Sequence, residues 1–171
     1  TFNIDLQKLE LKLYKAKKKK ILPKIIIPIV FAGQSYDRDR LINLSKKFNF
    51  KILEDASHGL GSKYKNKYLG SFGDFSSFSF YYSHQVTSGE GGMIACKTKD
   101  DYLLLKALRA HGWDRDIQKE RVNKKFNFIN SGFNLRPLEI SAAIGLNQFK
   151  RLPKMMSIRT YNRNKIIYFI K

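Results

Sequence analysis

The sequence predicts an α/β domain built on a mostly parallel sheet flanked by helices, and three observations carry that prediction. A β-branched run at Ile25 to Val30, an amphipathic stretch spaced Leu41, Leu44, Phe48 and a short apolar run at Lys51 to Glu54 follow one another within about 30 residues. Strand, helix, strand at this spacing is a unit that crosses over right-handed and sets its strands parallel. Two more runs, Phe75 to Phe80 and Met93 to Cys96, have strand length. Between them, Phe78 to Gly92 packs hydroxyls, His84 and the glycines Gly89, Gly91 and Gly92 into one turn.

Each element has a local cause. Asp5 is a fair N-cap, and Leu6, Leu9 and Leu13 then recur at helical spacing, so a short helix precedes the lysine run. Ile25 to Val30 suits a strand buried on both faces, although Pro28 weakens it or moves it to an edge. Ala32-Gly33-Gln34 breaks the pattern, and a second helix begins at Asp37 and ends at Asn49. Ser62 to Tyr68 reads as a small hairpin turning at Lys65-Asn66-Lys67, and Gly70 to Asp74 as a loop. Asp100 and Asp101 open a leucine-rich helix that Gly112 closes, with His111 packed at its end. Trp113 to Asn130 has no period and reads as a long loop. Pro137 suits the first position of a helix through Leu138, Ala142, Ala143 and Leu146; Pro153 ends it and another helix follows.

Composition narrows the function classes. With 171 residues, 43% of them hydrophobic, the chain can bury a real core. It starts without Met and both ends fall in mid-pattern, so it reads as a fragment of a longer protein. No apolar run reaches the roughly 18 residues that span a bilayer, so no membrane span is expected. A single cysteine, Cys96, excludes an intrachain disulfide and a multi-cysteine metal site, and makes a reducing cytoplasm the default location. The formal charge of +19 raises the question of nucleic acid or an anionic membrane surface. Yet the basic residues are spread along the chain, with one run at Lys15 and Lys17 to Lys20 and no nucleic-acid-binding motif. Solvated faces that attract phosphorylated small molecules are expected instead, with no nucleic-acid partner. A basic module for polyanions is the remote alternative.

Ligands of parallel sheets bind beyond the carboxyl ends of the strands, where Asp55 follows Lys-Ile-Leu-Glu. It is a candidate site residue, and equally a helix cap or an Asx turn. Ser79 and its neighbours could donate to phosphate oxygens, while the glycines allow close backbone approach. Spacing alone leaves both readings open.

Three blocks carry a resemblance: Glu54-Asp55-Ala56-Ser57-His58-Gly59-Leu60-Gly61; Ser79-Phe80 with Gly89-Glu90-Gly91-Gly92; and Gly132-Phe133-Asn134-Leu135-Arg136-Pro137-Leu138-Glu139. In this order and spacing they resemble the nucleotide-sugar aminotransferases of the DegT/DnrJ/StrS family, fold type I pyridoxal-phosphate enzymes. The likeness extends more loosely from Thr1 to about Arg159. It implies the large domain of that fold, with residues 1–152 part of the cofactor-binding domain lacking its amino-terminal portion, and 153–171 the start of a truncated small domain. By position, Asp55 would pair with the protonated pyridine nitrogen, His58 would contact the ring or its phenolic oxygen, and Ser79 would bind the phosphate. Asn134 would reach the cofactor phosphate of the neighbouring subunit, which implies a homodimer with shared sites.

One position departs from the aminotransferase pattern. The family's cofactor-binding lysine lies five residues after the serine, and here that residue is His84. An imidazole cannot hold the cofactor as an imine, yet it can serve as a general base near neutral pH. Within the family this exchange marks the 3-dehydratases of 4-keto-6-deoxy nucleotide sugars, and Arg109-Ala110-His111-Gly112-Trp113 also resembles that branch, particularly the GDP-4-keto-6-deoxy-mannose 3-dehydratases. The resemblance thus implies pyridoxamine or pyridoxal phosphate as cofactor, glutamate as amino donor, a nucleotide-sugar substrate, and loss of the C3 hydroxyl with His84 as base, in deoxysugar and lipopolysaccharide O-antigen biosynthesis. A related branch holds an iron–sulfur cluster on several cysteines, which this chain lacks, so no cluster is expected. The alternative is a family member that transfers amino groups or is inactive.

Overall fold

The computed structural model describes residues 2–115, 117 and 126–170. It divides into two units, Thr1–Ala95 with Ile140–Lys171, and Cys96–Glu139.

In the first unit, helix α1 (Leu6–Lys18) starts where Asp5 accepts the N–H groups of Gln7 and Lys8. Lys15, Lys17 and Lys18 fill its last turn and complement the helix dipole. Helix α2 (Arg38–Phe48) is capped by Asp37 through the Arg40 N–H and closed by Asn49 in the left-handed conformation. Both helices bury their leucine faces: Leu6 and Leu13 from α1, Leu41, Leu44 and Phe48 from α2, packed with Val30, Phe50, Ile52 and Leu69. Glu10 on α1 bridges Arg40 and Lys47 on α2 at 3.2 and 3.0 Å.

A four-stranded sheet runs in the order β1-β2-β5-β6, from β1 (Ile25–Ile26), β2 (Lys51–Asp55), β5 (Phe75–Ser79) and β6 (Gly92–Cys96). The pairs β1–β2 and β2–β5 are parallel. Strand β1 is much shorter than the expected run. Pro28 has no N–H to donate, so the ladder breaks there and resumes as an isolated parallel bridge from Ile29 to Asp55. Nor is the run buried on both faces: Ile25, Ile27 and Ile29 remain half exposed. The hairpin of β3 (Lys63–Tyr64) and β4 (Lys67–Tyr68) turns at Lys65 and Asn66, both with positive φ, as a two-residue turn matched to strand twist requires.

The last helix of this unit, α4, is continuous over Glu139–Ile170 and contains Pro153. The expected break at Pro153 does not occur; the residue removes one backbone hydrogen bond from a long helix rather than ending it. Pro137 lies outside the helix, two residues before its start. Among the described residues, no helix is long and apolar enough to cross a membrane.

In the second unit, helix α3 (Lys99–Leu108) is capped by Thr98, whose hydroxyl accepts the Asp101 N–H at 3.1 Å, with Asp100 and Asp101 in the first turn. Both His111, with φ 64°, and Gly112, with φ 80°, are left-handed after it, and the Gly112 N–H returns to the Ala107 carbonyl at 2.8 Å. Glycine is needed at 112 because a Cβ would fall 1.7 Å from the Asn130 oxygen. Of the loop expected from Trp113 to Asn130, residues 116 and 118–125 lie outside the described residues. On either side of that stretch Trp113 bridges Phe128, and its ring stacks on Phe126 at 5.2 Å.

Candidate active site

Asp55 ends β2 and pairs in register with Ser77 of β5, so the two strands leave the sheet at one edge. The loops that follow them carry the candidate side chains. Asp55 Oδ1 accepts both the Ser57 N–H, at 3.1 Å, and the Ser57 hydroxyl, at 2.6 Å. The first is the Asx turn that sequence reading set beside a binding role. Both hydrogen bonds fall on Oδ1, so the turn and a ligand at Oδ2 are compatible. Its neighbour Glu54 points to the opposite face, as strand alternation demands, and is buried with Arg38.

His58 sits inside a tight turn in which the Gly59 N–H donates to the Ala56 carbonyl at 2.8 Å. Its Nδ1 accepts the Ala32 N–H at 3.3 Å, the edge of Phe31 packs on the ring, and Gln85 Nε2 donates to its carbonyl at 2.8 Å. From the other loop, the His84 ring lies 5.4 Å from the His58 ring between centroids. A turn from the His84 N–H to the Tyr81 carbonyl, at 3.1 Å, holds it there. His84 also packs edgewise on Tyr81, which in turn meets Tyr82 edge-on at 4.3 Å. The hydrogen bond between the two phenols pushes the Tyr81 phenol above its ordinary range. Ser79 ends β5, and its hydroxyl accepts the Tyr81 N–H at 3.3 Å.

The glycine cluster closes this loop onto β5. Phe80 donates to the Gly91 carbonyl and accepts the Ser88 N–H, both at 2.9 Å. A Cβ on Gly91 would sit 2.6 Å from Ser88 Oγ, so that glycine answers the packing of its own loop. Asp55, His58, Ser79 and His84 thus share one edge of the first unit. Asn134 belongs to the second unit, where it is exposed and bridges Ala110 in antiparallel fashion. Sequence reading passed over Phe31, Ala32 and Gln85. Their signal was position: Phe31 and Ala32 follow the first β-branched run, at the same carboxyl-end edge that drew attention to Asp55.

The model of the DegT/DnrJ/EryC1/StrS aminotransferase family matches residues 1–167. This chain belongs to that family. Its sheet and flanking helices are those of the fold type I pyridoxal-phosphate transferases. The chain is 32% identical to GDP-4-keto-6-deoxy-D-mannose 3-dehydratase of Escherichia coli O55:H7 over 95% of its own length and 43% of the relative's. It is 37% identical to UDP-4-amino-4,6-dideoxy-N-acetyl-beta-L-altrosamine transaminase of Campylobacter jejuni, over 88% of this chain and 38% of that one. Among solved structures, E. coli GDP-4-keto-6-deoxy-D-mannose-3-dehydratase with bound hydrated PLP superposes with a TM-score of 0.82 at 32% identity, covering 96% of this chain and 43% of that one. The chain therefore spans about two fifths of the length of these relatives.

Proposed function

We propose that the whole protein removes the C3 hydroxyl from a 4-keto-6-deoxy nucleotide sugar, using pyridoxamine phosphate. The observation that carries this reading is His84: an imidazole stands where the family's aminotransferases carry lysine, and it lies beside a second imidazole, His58. The solved relative with bound PLP supports the choice of cofactor. The donor set fits it as well. Asp55 keeps one carboxylate oxygen outside its Asx turn for a protonated pyridine nitrogen, and the Ser79 hydroxyl ends the neighbouring strand. When bound, the cofactor supplies an electron sink, a cationic ring that takes up the pair left when a neighbouring carbon loses its proton.

The residues of the chain do the rest. Asp55 holds the ring nitrogen in its charged form by Coulomb attraction. His84 accepts the proton at the cofactor's C4′ carbon and returns it to the departing C3 hydroxyl, so that water leaves and the imidazole ends unchanged. Lacking an amine, His84 cannot compete with the sugar for the cofactor. Glutamate serves as amino donor to restore the amine form, and Asn134 reaches the cofactor phosphate of a second subunit in a homodimer. Residues 1–152 form part of the large domain, and the small domain begins near Pro153.

The full-length protein should absorb in the near ultraviolet as the pyridoxamine form, and borohydride should leave no cofactor attached to the chain. His84→Asn should keep the cofactor and lose C3 dehydration by roughly a hundredfold or more, measured against a panel of 4-keto-6-deoxy nucleotide sugars with glutamate. Undiminished turnover would remove His84 from its role. The second reading is amino transfer, favoured by the identity to the Campylobacter transaminase. Covalent trapping of the cofactor on a lysine would select it.

A further inference from the structure

Two imidazoles share the site, and the backbone treats them differently. His58 Nδ1 receives the Ala32 N–H at 3.3 Å. A backbone N–H can only donate, so the nitrogen facing it must carry a lone pair. In neutral His58 the proton then sits on Nε2. The turn that aims this N–H is specific: Ala32 itself takes φ 51°, rare for a residue with a side chain, and is followed by Gly33 at φ 73°. A Cβ on Gly33 would stand 3.0 Å from the His58 carbonyl and 3.1 Å from Ser62 Oγ, so the turn is pressed against the His58 loop. Phe31 packs edge-on against the ring and Gln85 tethers the His58 backbone, while a flipped ring would present carbon to the Ala32 N–H and forfeit that hydrogen bond. Among the described residues, the His84 side chain has ring contacts alone, with His58 and Tyr81.

We infer that the Phe31-Ala32-Gly33 turn locks His58 as the Nε2–H tautomer, making it a permanent hydrogen-bond donor into the site, and so leaves His84 as the one imidazole of the pair that exchanges a proton. The tautomer follows from the geometry of this unit. The division of labour rests on the proposed dehydratase reading. Without the lock, two adjacent imidazoles could both accept the proton, and the base would have no defined position. With it, His58 presents hydrogen to an oxygen of the ligand, such as a phenolate, while His84 keeps its lone pair for carbon acid chemistry. Ala32 is thus a positioning residue that acts through its backbone N–H.

The test is the nitrogen spectrum of the full-length protein labelled with 15N-histidine, recorded near pH 8.5, about two units above the ordinary imidazole range. His58 is identified by the signal lost in His58→Gln and by the proximity of its ring to the Ala32 amide proton. Expected is a pyridine-like Nδ1 and a pyrrole-like Nε2 for His58, with His84 at positions averaged between tautomers. A His58 with the proton on Nδ1, or with both nitrogens averaged, overturns the lock. A second measurement is PLP affinity. Gln places an N–H where Nε2 was, whereas Asn places its oxygen where Nδ1 was. His58→Gln should therefore stay within a few-fold of the parent and His58→Asn weaken by about tenfold, the factor of one good hydrogen bond. Equal affinities, or the reverse order, would overturn the donor role. A locked His58 in a protein that dehydrates no sugar of the panel would sink the dehydratase reading and leave the tautomer standing.

Discussion

Glu54 and Asp55 are consecutive carboxylates on one strand, and they meet opposite fates. Glu54 points into the layer of α2 and is fully buried, with one oxygen on the Arg38 guanidinium and the other on the Gly70 N–H. Arg38, itself buried, is sandwiched between the Tyr36 ring at 4.8 Å and the Phe72 ring at 4.4 Å, and donates through Nε to Ser35. Burial first, and the Glu54 charge second, push the Tyr36 phenol above its ordinary value. Asp55, half-buried on the other face, spends one oxygen on a local turn and keeps the other side of its carboxylate for a partner. The difference teaches that a carboxylate serves structure when every lone pair is matched within the chain, and serves a ligand when the strand end leaves one side open.

The contrast breaks most sharply at Arg38. Arg38→Met strands the Glu54 charge in the core and should lower the unfolding free energy by about 3–5 kcal/mol, read from a denaturant midpoint. A loss below about 1 kcal/mol would mean the pair is not the structural element described. Next comes Gly70, which holds Glu54 through its N–H at φ 86°. A Cβ there would lie 2.1 Å from the Phe78 ring, so Gly70→Ala should cost about 1–3 kcal/mol through strain and overpacking. The smallest stability effect belongs to Asp55→Asn. The amide oxygen can still accept from Ser57, so the midpoint should shift by no more than about 0.5 kcal/mol while cofactor affinity falls. An unfolding loss as large as that of Arg38→Met would erase the distinction between the two faces.

Much of the first unit was legible because its signals are local. Asp5, Asp37 and Asn49 cap helices within a few residues, and Lys65-Asn66 turns a hairpin whose strands adjoin it. The misses share a cause: they depend on what lies elsewhere. Pro28 and Pro153 look alike as punctuation, yet one interrupts a ladder with a neighbouring strand and the other sits within a helix that continues. Gly112 is left-handed together with His111 at the end of α3, as a helix stop requires, but its second task, making room for Asn130, depends on a residue 18 positions away.

The sequence by itself determined the first three helices, the hairpin, the α/β class and the family, since capping, periodicity and motif order are properties of neighbours along the chain. It also placed an imidazole at position 84, the one chemical fact that separates the proposed dehydration from amino transfer. Only the tertiary structure decided that His84 meets His58, that Ala32 reaches across 26 residues to set the His58 tautomer, and that Glu54 and Asp55 part company. The reason is the strand order β1-β2-β5-β6: parallel pairing gathers loops remote in sequence at one edge, and no local pattern encodes which loops those are.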